Sequence, residues 1–431
     1  MPHFTLRLAI PDDVSPEQAA SSFYWLTDQR SSFTPGIGPS LGALGDVPPL
    51  NVDFARIALT VFAADRSATR ERGGSNWNQR EFELEIPVSD ASVWTAAADE
   101  MASVIGFLSG DRWSLTFTEA QAPIEAVLLP NLETPPKRVV LLSGGADSAA
   151  GGLYSRSLLA EGEQHILLSH FSNTMLAPIQ QHVAVEIERL IPGPTQQHVV
   201  AHLGRREKRI DGSSYPTEPT SRSRSLLFLA LGLAVASIYQ VPLWIPENGF
   251  ASINPPLGPE RLGSLSTRTT HPAFLEGLSS VLAKAGAHGQ IENPFRTATK
   301  GEMFQRVVDL VGAAEASRFL SATHSCGLTG QRAHHISPEV PCGVCFGCVL
   351  RRASFAASGV TDTTTYFAPS SDATVQRWLD GKSVEQQVRN FVRRGVKARD
   401  LVTLGLPQSY PLREALDLCG RGIKELRSLY P

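Results

Sequence analysis

The sequence predicts an α/β fold, a doubly wound parallel sheet with a zinc-binding lobe, preceded by a small α+β domain. Three observations predict it. Val139 to Leu142 is apolar throughout and runs directly into Ser143-Gly144-Gly145-Ala146-Asp147-Ser148. Apolar strand-like and helix-like stretches then alternate as far as about Gly312. Beyond them stand Cys326, Cys342, Cys345 and Cys348 at metal-ligand spacing. A strand that is apolar on both faces belongs in a parallel sheet covered on both sides.

The 431 residues leave room for two or three domains and a substantial core. Hydrophobic residues at 42% and charged residues at 19% are ordinary for a globular enzyme. Lys and Arg total 39 against 42 Asp and Glu, a net charge of −3. That balance gives no global attraction to nucleic acid or to anionic membrane, so neither is an expected partner. No apolar run reaches spanning length, and the Met1-Pro-His start lacks the features of a signal peptide. Five cysteines in a chain of this size argue against a disulfide framework, and the cytoplasm is the expected compartment.

Residues 1–135 are expected to form the separate α+β domain. Phe4 to Ile10 alternates like a strand, and glycine and proline dominate from Phe33 to Pro49 as in a long loop. Phe54 to Phe62, Phe82 to Ile86 and Trp113 to Phe117 are further expected strands. Trp94, Ala97, Met101, Val104, Ile105 and Leu108 share one helical face, closed by Gly110. Arg66, Arg70, Arg72 and Arg80 surround the polar loop Ser67 to Gln79, read as solvated; a partner-binding or nucleic-acid-binding loop is the sharper alternative. Pro135-Pro136-Lys137 reads as a linker.

Residues 136–358 carry the chemistry. In the Ser143–Ser148 turn, two glycines let the backbone approach a ligand, and the helix start adds N–H groups and a positive dipole end. The bland reading is a strand-to-helix turn capped by Asp147 or Ser148. His165 to Ser169 is the second strand. Ligands in such sheets lie beyond the carboxyl ends of strands, which brings His170 and Ser172 forward as lining residues; a purely structural His170 is the competing reading. Pro178 to Leu190 reads as an amphipathic helix and Gln197 to Leu203 as the third strand, followed by Arg205, Arg206, Lys208 and Arg209 on a solvated surface.

Ser221-Arg222-Ser223-Arg224-Ser225 opens a helix too apolar all round to lie on the surface, and its arginines suit phosphate. Val241 to Ile245 is a buried strand, and Glu247 to Asn254 at its carboxyl end is placed to read a substrate. The loop Leu265 to Pro272 supplies hydroxyls, Arg268 and His271, with Pro272 opening a helix. After a short strand from Ile291, Thr299 and Glu302 form a capping box, which leaves Lys300 unexplained.

Cys342, Cys345 and Cys348 follow Cys326 after a gap of fifteen residues and suit a closed tetrahedral Zn²⁺ site. An iron–sulfur cluster is the competing metal, disfavoured because no second cysteine group follows. His324, His334 and His335 are alternative fourth ligands, and Cys419 reads as a buried small hydrophobe. Residues 359–431 form an expected helical extension at Val375–Leu379, Val384–Val392 and Leu412–Leu429. Its basic stripe, Arg389, Arg393, Arg394, Lys397 and Arg399, is read as solvated.

The Ser143–Ser148 turn resembles the SGGxDS loop of the PP-loop ATP pyrophosphatases, which adenylate a substrate and release pyrophosphate. Taken with His324-Ser-Cys326 and the C-x-x-C-x-x-C run, residues 138–356 are similar to the QueC family, the 7-cyano-7-deazaguanine synthases. The resemblance implies that Ser143, Gly144, Gly145, Asp147 and Ser148 hold the phosphates of ATP. Arg224, in an Arg-Ser-Leu-Leu-Phe segment, and Lys300, in a Thr-Lys-Gly-Glu step, then act with Asp147 and a Mg²⁺. The cysteine set matches the family's zinc ligands, ahead of Arg351-Arg352. The implied reaction adenylates a 7-deazaguanine carboxylate, which an amine then attacks; independently of the resemblance, Glu247 or His271 is expected to take the amine proton, since burial can bring either pKa near neutrality. Two departures bear on the substrate: the chain is longer at both ends, and Arg268 to Pro272 replaces the family's Tyr-Pro-Asp-Cys-Arg-like loop. Enlarged QueC-like proteins of this kind resemble those of bacterial anti-phage operons such as the Qat system, which implies an operon partner protein as amine source. A tRNA- or sulfur-modifying PP-loop enzyme and a non-catalytic nucleotide-binding subunit of a defence complex are the alternatives.

Overall fold

The computed structural model describes residues 1–35, 44–70, 79–121, 134–170, 175–201, 203–219, 222–255, 268–328 and 340–430. The N-terminal elements are β1 (His3–Arg7), α1 (Pro16–Ser21), β2 (Ser22–Tyr24), β3 (Phe33–Pro35), α2 (Pro49–Ser67), β4 (Glu81–Val88), α3 (Ala91–Ala96), α4 (Ala98–Ser109) and β5 (Arg112–Glu119). Their sheet runs β2-β1-β4-β5 with every pair parallel. Parallel neighbours joined through helices make this half α/β rather than the expected α+β.

The expected strand at Phe54–Phe62 is the middle of α2, a 19-residue helix buried on nearly every face. A run apolar on all sides does not distinguish a buried strand from a buried helix by periodicity. Here the run lies between two sheets, packed on β4 and on α7 (Arg224–Tyr239). Two arginines read as solvated are interior: Arg80 and Arg70 pair with Asp111 at 2.7 and 2.6 Å, and Arg80 also pairs with Asp65. Arg72 lies outside the described residues.

The second half continues β6 (Val139–Leu141), α5 (Ala146–Ser157), β7 (Gln164–His170), α6 (Leu176–Leu190), β8 (Thr195–Ala201), β9 (Leu203–Arg205), α7, β10 (Leu243–Trp244), α8 (Gly249–Ser252), α9 (Pro272–Lys284), β11 (Ile291–Glu292), α10 (Lys300–Val311), α11 (Ala313–Ser321) and α12 (Phe346–Ser358). Its five-stranded sheet is all parallel in the order β11-β10-β6-β7-β8. Alternate residues serve opposite cores. Val139, Ile166, Leu168, Val199 and Leu243 face α2, α7 and α9, while Val140, Leu142, Leu167 and Trp244 face α5, α6 and α10. Both faces being covered explains the uninterrupted apolar strands. The first core also holds Phe4, Phe82 and Ile86, so the two sheets share one interior across the α2–α7 layer. An antiparallel pair, β3 with β9, adds a second link.

The chain order reverses beside β6, whose neighbours β7 and β10 lead to opposite edges. A crevice opens at the carboxyl ends of strands at such a point. Of the C-terminal helices, α13 (Ala373–Lys382) packs Leu379 against the cysteine cluster, whereas α14 (Glu385–Arg394), α15 (Ala398–Val402) and α16 (Leu412–Leu429) gather on α12 and α8 around Phe391, Leu418 and Leu426.

Candidate functional site

The turn after β6 occupies that crevice. Gly144 has φ +84°, the left-handed region where glycine is favoured. The Ser148 hydroxyl accepts from the Ser143 N–H at 3.1 Å and donates to the Gly145 carbonyl at 3.0 Å, which closes the turn on itself. Ser143 and Ser148 hydroxyls meet at 3.0 Å, and Ser143 Oγ accepts the Gly145 N–H at 3.3 Å. Gln180 from α6 donates to the Ser143 and His170 carbonyls and fixes the two strand ends together. Helix α5 lies close because Gly151 and Gly152 face Pro246 and Ile187; a Cβ on Gly151 would come within 2.1 Å of Pro246.

A cavity of about 430 Å³ opens over this turn, lined on one side by Ser143, Gly145, Asp147 and Ser148. Lys300, Arg224, Glu247 and Asn248 face it, and Ser252, Thr269, Thr270, Phe346 and Leu350 form its far side. Lys300, at the start of α10, donates from Nζ to Asp147 Oδ2 at 2.5 Å. Asn248 donates to Glu247 Oε1 at 2.9 Å and reaches Asp147 Oδ2 at 3.4 Å. Burial, then the neighbouring Asp147 charge, pushes the Glu247 carboxyl well above the usual carboxylate range. Asp147 Oδ1 is buried and makes no hydrogen bond among the described residues. Two adjoining carboxyls, one with an unused buried oxygen, fit a hard divalent cation that takes its remaining ligands from water and phosphate.

Arg224, expected as a phosphate ligand, stands at the first position of α7 on the cavity wall, over the Phe228 ring at 5.5 Å. His170 lines the wall as well, packed on Phe228, with Nε2 2.7 Å from the Leu203 carbonyl. Ser172 lies outside the described residues. Two residues of the expected substrate loop sit elsewhere. Among the described residues the lining includes Thr269 and Thr270 but neither His271 nor Arg268. His271 is the N-cap of α9, its Nδ1 accepting the Ala273 N–H at 3.2 Å, and burial lowers its pKa to about 4. Arg268 stacks on Phe107 at 4.3 Å and donates to its carbonyl. The correction has a simple cause: Pro272 sets the helix start, and the residue before it takes the capping position.

The four cysteine sulfurs lie within 4.8 Å of one another. A tetrahedron with metal–sulfur bonds of about 2.3 Å has edges of roughly 3.8 Å, and Cys342 Sγ is 3.8 Å from Cys348 Sγ. Backbone N–H groups of Cys342 and Cys345 point at the Cys326 and Cys342 sulfurs, at 3.4 and 3.3 Å. The cluster therefore fits one structural zinc ion. His334 and His335 lie outside the described residues.

This lobe also touches the turn. His324 donates its N–H to the Gly144 carbonyl at 2.9 Å, and Ser325 Oγ accepts the Ala146 N–H at 3.3 Å. Arg351 holds the preceding segment through the Thr323 and Leu320 carbonyls at 2.9 and 2.8 Å. Asn248 and Thr270 lie in segments that the sequence had brought forward, whereas Ser325 is a lining residue that it did not single out. The proximity of Ser325 to Cys326 was the available signal.

A parallel sheet with a glycine turn and a helix start at its switch point, beside two carboxyls and two cations, has the donors and the shape to take a phosphate group. The relatives are more particular. The chain is similar to the 7-cyano-7-deazaguanine synthase of Syntrophobacter fumaroxidans, 28% identical over 257 residues covering 53% of this chain and 96% of that protein. It is likewise similar to that of Ectopseudomonas mendocina, 28% identical over 54% of this chain and 98% of that protein. The enzyme of the same description from Desulfatibacillum aliphaticivorans is 24% identical over 53% and 96%. No protein-family profile matches the chain. No helix among the described residues is long and apolar enough to cross a membrane.

Proposed function

We propose that this chain is a QueC-like, ATP-dependent PP-loop enzyme that adenylates a 7-deazaguanine-type carboxylate and passes the acyl group to an amine. The single observation that carries the reading is the convergence of the Ser143–Ser148 turn, Asp147, Glu247, Lys300 and Arg224 on one cavity. A carboxylate oxygen attacks the α-phosphorus, the bond to the bridging oxygen breaks, and pyrophosphate leaves. The amine then attacks the acyl carbon, AMP leaves, and one amine proton goes to a base. Charge develops on phosphate oxygens in the first step, where Lys300, Arg224 and the turn's N–H groups supply fixed donors. Asp147, whose Oδ1 is unused among the described residues, would hold a Mg²⁺, which supplies charge neutralisation on the phosphates when bound. Glu247 faces the cavity and suits the base; His271, spent as a helix cap, does not.

Sulfur transfer needs an accessible reactive thiol. Here Cys326 reaches the cavity wall but is grouped with Cys342, Cys345 and Cys348 as a metal-ligand set, and burial pushes the Cys419 thiol up to about 12. The test is pyrophosphate release from ATP in the presence of the deazaguanine acid and an amine. Ser143→Ala and Asp147→Ala should abolish it while leaving the circular-dichroism spectrum unchanged; release at the wild-type rate from either variant refutes the reading.

The finer proposal is an anti-phage role in which the amine belongs to a partner protein of the same operon. It is supported by the resemblance to enlarged operon-encoded relatives and by the altered loop at Arg268–Pro272. Incubation with ATP, the acid and purified operon neighbours, read by intact mass, should show a partner gaining covalent mass. A free nitrile or amide with every partner unmodified refutes it.

A further inference from the structure

The segments on either side of the QueC-like region each send one buried carboxylate to the start of a helix that carries a cation of the cavity. The N–H groups that open a helix have no partner within it. At α10, Glu425 of α16 supplies one: the Gly301 N–H lies 3.1 Å from each of its carboxylate oxygens. The Thr299 hydroxyl also donates to Glu425, and the Ser354 hydroxyl approaches it at 3.4 Å. Among the described residues no lysine or arginine pairs with Glu425, which is 8% exposed and whose carboxyl burial pushes up. One turn earlier on α16, Arg421 pairs with Glu302, the other member of the capping box, and donates to the Thr297 carbonyl at 2.9 Å. The fit is close enough that a Cβ on Gly301 would lie 2.5 Å from Glu425 Oε1.

The start of α7 repeats the device from the other end of the chain. Asp65 of α2 accepts on one oxygen, Oδ2, the Arg222 N–H at 2.9 Å, the Ser223 N–H at 3.0 Å and the Ser223 hydroxyl at 2.7 Å. Its other oxygen takes Arg80. Arg224 follows as the first residue of the helix.

We propose that Glu425 and Asp65 are positioning residues, which hold Lys300 and Arg224 where the phosphates of the nucleotide bind. The inference rests on the phosphate-handling reading of those two cations. A lysine on a four-carbon stem is a flexible point charge, so the backbone at its Cα decides where the ammonium lies. Carboxylate capping fixes that backbone, as the opposite charge at a helix N-terminus does generally. The extra chain length at both ends thereby becomes part of the site's frame.

A double-mutant cycle separates positioning from simple stabilisation. Glu425→Gln and Gly301→Ala disturb the same contact from its two sides, so one remains informative where the other folds poorly. Each is expected to lower kcat for pyrophosphate release at least about tenfold, well below its unfolding temperature and with its zinc retained. In a Lys300→Met background, Glu425→Gln should cause no further loss. Asp65→Asn should behave the same way with Arg224→Met. Wild-type kcat in both Glu425→Gln and Gly301→Ala, or losses that simply add in the double variant, overturns the proposal. Unchanged pyrophosphate release in Lys300→Met itself would instead overturn the functional reading beneath it.

Discussion

Replacing Lys300 with methionine isolates the charge balance at the floor of the cavity. The side chains of Lys300 and Asp147 are 5% and 10% exposed and meet at 2.5 Å. Removing one member of a buried ion pair costs about 3–5 kcal/mol, because the other charge stays behind unpaired. Here two carboxyls stay behind, since Glu247 lies against Asp147 and Lys300 is the charge that opposes its upward displacement. A carboxyl whose pKa is raised by folding binds its proton more tightly in the folded state. The stability it contributes is present at low pH and is lost as pH rises above the ordinary carboxylate range. Without the ammonium Glu247 holds its proton more tightly still, so the stability deficit of Lys300→Met should grow with pH. The expected slope is up to about 1.4 kcal/mol per pH unit for each additional proton retained. Urea unfolding of both proteins between about pH 5.5 and pH 7.5 reads it directly. Pyrophosphate release should fall by roughly 10²–10³, the loss seen on removing one preorganised charge-stabilising donor. A deficit equal at every pH would refute the charge argument, whatever the activity.

Cys345→Ser should lose zinc by elemental analysis and unfold at lower temperature, because ligand binding in such a lobe is folding free energy; retained stoichiometric zinc would count against the four-cysteine site. Glu247→Gln should flatten the acidic limb of the pH–rate profile, which in the wild type should rise at a pH above the usual carboxylate range. His271→Ala should cost about 1 kcal/mol in thermal unfolding as a lost N-cap while leaving the rate of pyrophosphate release unchanged. Gly144→Ala forces a side chain into the left-handed region at a cost of about 1–2 kcal/mol and against Gln180; calorimetry should show weaker ATP binding, and wild-type affinity would refute the close-approach role.

The sequence by itself determined the parallel sheet of the second half, because strands covered on both faces are apolar at their centres, as β6, the Ile166–Leu168 stretch of β7 and β10 are. It determined the glycine turn between β6 and α5 and the grouping of Cys326, Cys342, Cys345 and Cys348, since both follow from local spacing. The capping box at Thr299 and Glu302 is local in the same sense. Long-range placement decided the rest. The run Phe54–Phe62 carries no period that separates strand from helix, and only its position between two sheets makes it α2. Three of the four strands of the N-terminal sheet, β1, β4 and β5, read as strands and β2 did not, and whether neighbours run parallel depends on connections that the pattern does not encode. Arg70 and Arg80 look like surface charge until Asp111, 41 and 31 positions further on, pairs with both of them. His271 and Glu247 were equal as bases on paper; the fold turned one into a helix cap beside Phe107 and set the other against Asp147 in the cavity. Lys300 had no local explanation because its partner lies 153 positions earlier in the chain. Glu425 had none because a carboxylate finds a helix N-terminus in space, not in sequence.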